Sequence, residues 1–131
     1  EETSKRGIVT GGHVIVGPPG ESASDIIAQA KKISATSLDI LKIHQLQVVR
    51  GTRLAEDYER KPFHVFSVDE YIRKIPEYIR NLRPSIVIER FVSQSPKGML
   101  LAPDWGLKNY EFTDKLNKYL RENDIRQGDA L

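Results

Sequence analysis

Cysteine is absent, which removes disulfides, thiolate metal ligands and a cysteine nucleophile from the chemistry this chain can do by itself. A reducing compartment is compatible with that composition. No apolar run approaches the ~20 residues needed to cross a bilayer. The charged start, Glu1-Glu2-Thr3-Ser4-Lys5-Arg6, is followed by no apolar export segment, so a cytoplasmic location is expected. Neither sign of charge dominates. Twenty Lys and Arg stand against eighteen Asp and Glu, mixed along the chain with no basic stripe, so nucleic-acid binding gains no support. At 131 residues the chain is also too short for an eight-unit β/α barrel of roughly 250 residues. One domain spanning 1–131 is the expectation.

What is present is a repeating pattern. His13-Val14-Ile15-Val16 is a short β-branched run cut off by Gly17-Pro18-Pro19-Gly20, which reads as a buried strand. Ser22 is placed to cap a helix, with Asp25 in its first turn and Ile26, Ile27, Ala30 and Ile33 on one face. Apolar alternation from Leu41 to Leu46 gives a second strand. A turn at Arg50-Gly51-Thr52 then leads into a short helix capped by Thr52. Ser67-Val68-Asp69-Glu70 is a capping box for a third helix, in which Pro76 predicts a kink and Pro84 marks the end. Ser85–Val92 reads as a third strand and Met99–Ala102 as a short fourth extended segment. A last helix is expected with Asn109 as its cap and Phe112, Leu116, Tyr119 and Leu120 spaced for burial, before a polar tail, Arg126–Leu131, that is expected to fray.

Strand-then-helix units favour an α/β fold with mainly parallel strands, here a partial TIM-type (β/α) barrel segment. Crossover helices on one side would leave the other sheet face uncovered. Val14, Val16, Ile43 and Ile88 are the residues expected to line that inward face, and a piece exposing them should self-associate.

Candidate chemistry is sparse. Val16-Gly17-Pro18-Pro19-Gly20-Glu21-Ser22 lacks the spacing and the Lys of a phosphate-binding loop, and Glu21 carries the wrong sign beside a helix start. His13 and His44 fall at comparable places in two strands, where histidine is more often structural than a ligand. His64 lies in a loop, and three convergent ligands for a histidine metal site are not evident, so no metal residue is assigned. Glu89-Arg90, Asp104-Trp105 and Lys108 follow strand ends, where ligands of parallel α/β proteins bind, although surface ion pairs explain such a group equally well.

Taken together, several segments resemble a known family. The strand with Gly17-Pro18-Pro19-Gly20-Glu21-Ser22 is similar to a signature of radical SAM enzymes in the group of elongator acetyltransferase-like and oxygen-independent coproporphyrinogen oxidase-like proteins. Lys42–Ala55, Glu70-Tyr71, Ile86–Arg90, Leu101–Trp105 and Gln127-Gly128 resemble a bacterial subfamily described as uncharacterised Fe-S oxidoreductases. The resemblance implies the C-terminal part of a partial barrel whose parent binds S-adenosylmethionine and a [4Fe-4S] cluster, the latter through a Cys-x3-Cys-x2-Cys loop that this chain lacks. It also implies cofactor contacts at His13, His44 and Leu46, with His13 toward the ribose and the other two toward the adenine. Pro18 stands where relatives usually carry Leu, and His13 where some carry an acid. Arg90, Trp105 and Lys108 are substrate-side candidates. On this reading the parent is an enzyme, the chain alone is inactive, and its partner is the missing N-terminal half. A non-enzymatic α/β interaction module is the competing class.

Overall fold

The computed structural model describes residues 2–131. In chain order the elements are α1 (Glu2–Lys5), β1 (Gly11–Val16), α2 (Ala23–Ser34), β2 (Ile40–Gln45), β3 (Val48–Val49), α3 (Arg53–Arg60), α4 (Val68–Arg80), β4 (Val87–Arg90), β5 (Leu100–Ala102) and α5 (Asn109–Glu122). β1, β2 and β4 form a parallel sheet in that order, and β3 pairs with β5 as a separate antiparallel ribbon. The expected α/β class with parallel strands is therefore what the chain adopts. Among the described residues no helix is long and apolar enough to cross a membrane.

Helix starts follow the capping chemistry. The Ser22 hydroxyl accepts from the Asp25 amide at 3.2 Å while the Asp25 carboxylate accepts from the Ser22 amide at 2.9 Å. Ser67 and Glu70 repeat the exchange at 3.2 and 2.8 Å. The Ser22 hydroxyl, donating to the Asp25 carboxylate at 2.7 Å, and then the Ser22 amide hold the Asp25 carboxyl below its ordinary pKa. α4 runs on through Pro76, which is itself buried. At α5 the N-cap is Lys108 and not Asn109, which is already helical; Glu111 accepts from the Lys108 amide at 2.7 Å.

α2 and α4 cover one face of the sheet. Val14, Val16, Leu41, Ile43 and Ile86 are buried there against Ile26, Ala30, Tyr71, Ile75, Ile79 and Leu82. Each of the buried Val, Leu and Ile side chains stabilises the fold by about 1.5–3 kcal/mol. This reverses the expected facing of Val14, Val16, Ile43 and Ile88, the last of which packs half-buried against the same core. The physical reason is that the most apolar parity of each strand goes under the crossover helices, which supply the larger apolar surface. The uncovered face carries the other parity, including Ile15 at 51% and Val87 at 62% exposure.

The tail is tied down where fraying was expected. The Gln127 side-chain amide donates to Arg83 O at 2.9 Å and Ile86 O at 2.8 Å, and Arg80 Nε donates to the Asp129 carboxylate at 2.7 Å. Backbone bonds from Gly128 to Ile79 O (3.2 Å) and from Ala130 to Arg80 O (3.0 Å) complete the attachment. Gly128 has φ +83°, and a Cβ there would meet Pro84 at 2.8 Å, so only glycine fits this turn without strain.

Candidate functional site

The uncovered face holds a polar cluster near the centre of the sheet. Parallel register sets Ile15 opposite His44 and His13 opposite Lys42, so the two histidines are diagonal neighbours on one face. His13 Nδ1 and His44 Nε2 lie 2.9 Å apart. The ring planes differ by 9° and their centroids are 5.1 Å apart. A centroid separation that long with nitrogens that close means the rings meet edge to edge in nearly one plane, as an N–H···N hydrogen bond requires, and are not stacked face on face. Beside them Lys42 Nζ pairs with Glu89 at 3.2 Å. Partial burial, followed by the positive charge His13 carries when protonated and those of Arg90 and Lys42, pushes the pKa of His44 down and favours its neutral form.

The carboxyl-terminal rim of the sheet is fixed by side chains acting as backbone partners. Gln45, 5% exposed, donates to Ser93 O at 3.0 Å and accepts from the Ser93 amide at 2.9 Å, mimicking one rung of a ladder. Gln47 accepts from the Ser95 hydroxyl at 2.8 Å. Leu46 extends β1–β2 pairing by donating to Val16 O at 2.9 Å. After β1 the Glu21 carboxylate accepts from the Gly17 amide at 2.7 Å. Burial raises the pKa of Glu21, the Gly17 bond opposes that, and Asp25 adds to it. Gly17 has φ +99° and a Cβ there would lie 2.9 Å from the Phe66 ring, so this loop approaches the Phe63–Phe66 segment more closely than other residues allow.

His13 and His44 are thus joined by a hydrogen bond, Arg90 lies near enough for its charge to act on His44, and Leu46 sits at the rim next to them. Trp105 and Lys108 are elsewhere. The Trp105 indole donates to Phe66 O at 2.8 Å and packs against Phe112 and Tyr71, with ring centroids 5.6 and 5.4 Å away. It belongs to the aromatic cluster on the helix-covered side. Lys108 Nζ lies 5.9 Å from the Tyr110 ring centroid. His64 pairs with Glu70 at 3.1 Å and takes no part in the cluster. Gln45, Gln47 and Ser93 were not among the candidates; the visible signal was Gln45 continuing the buried parity of Leu41 and Ile43.

Among the described residues no group of three or more His, Cys, Asp or Glu could hold a metal ion. With no cysteine either, the residues present do not fit an iron–sulfur cluster. Two hydrogen-bonded neutral imidazoles leave one donor and one acceptor at their outer nitrogens, which point away from each other and so can each meet a separate polar group on the open face.

Comparison with known proteins adds the following. Residues 38–122 match the Radical_SAM C-terminal domain. The chain is 31% identical over 129 residues to the uncharacterized protein MJ0486 of Methanocaldococcus jannaschii, covering 98% of this chain and 40% of that protein. It is 29% identical over 127 residues to protein YhcC of Escherichia coli K12, covering 97% and 41%. The fold is similar to that of the archaeal Methanocaldococcus infernus Elp3 with an N-terminal deletion, with a TM-score of 0.78 at 21% identity, covering 95% of this chain and 29% of that one. The chain spans about two fifths of the length of these curated relatives.

Proposed function

Because this chain belongs to the Radical_SAM C-terminal domain family, we propose that it is one wall of a radical SAM enzyme, helping to bind S-adenosylmethionine and substrate and inactive by itself. The observation that carries the reading is the His13–His44 pair, bonded at 2.9 Å on the sheet face that no helix covers. His13 would meet the ribose, and His44 with the Leu46 backbone would meet the adenine. Arg90 would lie on the substrate side of this pair and Lys108 would be a more distant substrate-side candidate, whereas Trp105, packed under the helices, would not face the ligand. When bound, S-adenosylmethionine and a [4Fe-4S] cluster held by another part of the parent would supply the radical chemistry. This chain's own residues would orient the cofactor and, once the face is covered, exclude water.

The partner on that face would be the rest of the same polypeptide. The length of the relatives outside the matched region supports this, as do Ile15 and Val87, which need apolar cover. A cytoplasmic location suits the reading. The parent gene tests it. A Cys-x3-Cys-x2-Cys segment is expected upstream of Glu1, and a full reading frame without one would refute the proposal.

A further inference from the structure

The pair on the open face has only one proton between its facing nitrogens. In an edge-to-edge N–H···N bond one ring donates and the other accepts, so the tautomer of each ring fixes that of its partner. If His13 Nδ1 carries the proton, His13 Nε2 is bare and His44 Nδ1 is protonated. If the bridging proton belongs to His44 Nε2, both outer ends reverse. We infer that His13 and His44 form a single proton relay, able to accept a proton from a bound hydroxyl or carboxyl at one outer nitrogen while releasing one at the other.

The transfer balances. A proton joins His13 Nε2, the bridging proton passes from His13 Nδ1 to His44 Nε2, and the proton on His44 Nδ1 leaves. The pair returns to neutrality with its bond reversed, so no charge accumulates beside its neighbours. That matters because of what faces it: Lys42 from β2 and Arg90 from β4 are cationic, and the carboxylate of Glu89 is already engaged by Lys42. Two imidazoles exchanging a proton internally avoid placing a third cation there, which a lone histidine acting as a base could not do.

The relay rests on the ligand-face reading for its ligand, while its chemistry is tested without one. Histidine-labelled chain is followed by nitrogen-15 NMR across pH, alongside His13→Asn and His44→Gln. The relay predicts that His13 Nε2 and His44 Nδ1 both resonate between the bare and protonated extremes. It also predicts that His13→Asn moves the titration of His44 upward. A pair with a merely structural role would show each ring locked in one tautomer, and that result, or titrations indifferent to the partner, would overturn the inference. S-adenosylmethionine binding by the full-length protein is a separate readout. Its absence would remove the proposed ligand while leaving the exchange signature intact.

Discussion

Arg83 is the residue whose loss should cost this fold most among its polar side chains. It sits half-buried after α4 and donates through its guanidinium to Ser34 O at 3.2 Å, Thr36 O at 3.2 Å, Leu38 O and the Ser85 hydroxyl. Three of those acceptors are backbone carbonyls around the C-terminus of α2 and the connection to β2, where helix carbonyls lack partners and a cation is favoured. One side chain therefore closes the α2 end and ties it to the entry of β4. A hydrogen bond to a charged group is worth about 1.5–3 kcal/mol, but water can reach part of this site, so the net loss for Arg83→Met is about 2–3 kcal/mol. For a domain near this size that lowers Tm by roughly 6–12 °C. Arg83→Lys keeps the charge without the planar fork and should recover less than half of the loss. Urea unfolding of the three proteins measures this. A loss below about 0.5 kcal/mol for Arg83→Met, or full recovery in Arg83→Lys, would refute the argument that the fork geometry, and not charge alone, holds the junction.

Two buried tyrosines should respond in different ways. The Tyr71 hydroxyl donates to Phe91 O at 2.8 Å, whereas that of Tyr78 finds no protein partner. Tyr71→Phe should cost about 1 kcal/mol and Tyr78→Phe nothing or less than nothing by thermal unfolding. Gly128→Ala should destabilise by about 1–2 kcal/mol and raise amide exchange in the tail, through the clash with Pro84 and a positive φ. The depressed pKa of His44 means the unfolded chain binds protons there first. Its contribution to stability is full above about pH 6.5 and is lost as pH falls toward the depressed folded value, so His44→Gln should flatten the stability profile across that window. Finally, the isolated chain should self-associate through its uncovered face, and Ile15→Lys with Val87→Lys should render it monomeric in light scattering. A wild-type chain that is strictly monomeric at all concentrations would contradict that.

Local signals in the sequence were enough for the units themselves. The capping boxes at Ser22 and Ser67 start their helices because side-chain-to-amide exchange is a short-range event, readable within four residues. The facing of the strands was not readable in the same way. Val14, Val16 and Ile43 share a parity that the pattern groups correctly, but no local pattern says which side of the sheet the helices cover, so only the helices packed above decide where that parity goes. The ordered tail differs from its expected fraying for a related reason. Gln127 and Asp129 look like solvated polar residues until Arg80, Arg83 and Ile86 are brought beside them from more than forty positions away. At the site, His13 and His44 were visible as two strand histidines. The bond between them depends on a register that no local pattern contains. Trp105 followed a strand end and so resembled a ligand contact, yet its indole found burial against Tyr71 and Phe112.

The most direct test of the central claim is S-adenosylmethionine binding by the full-length protein, measured by calorimetry for wild type, His13→Ala, His44→Ala and Trp105→Phe. Loss of a buried polar contact to a ligand is worth about 1.4 kcal/mol or more, a factor of at least ten. The account predicts that either histidine variant weakens binding tenfold or more while Trp105→Phe leaves it unchanged. Wild-type affinity in both histidine variants would contradict it.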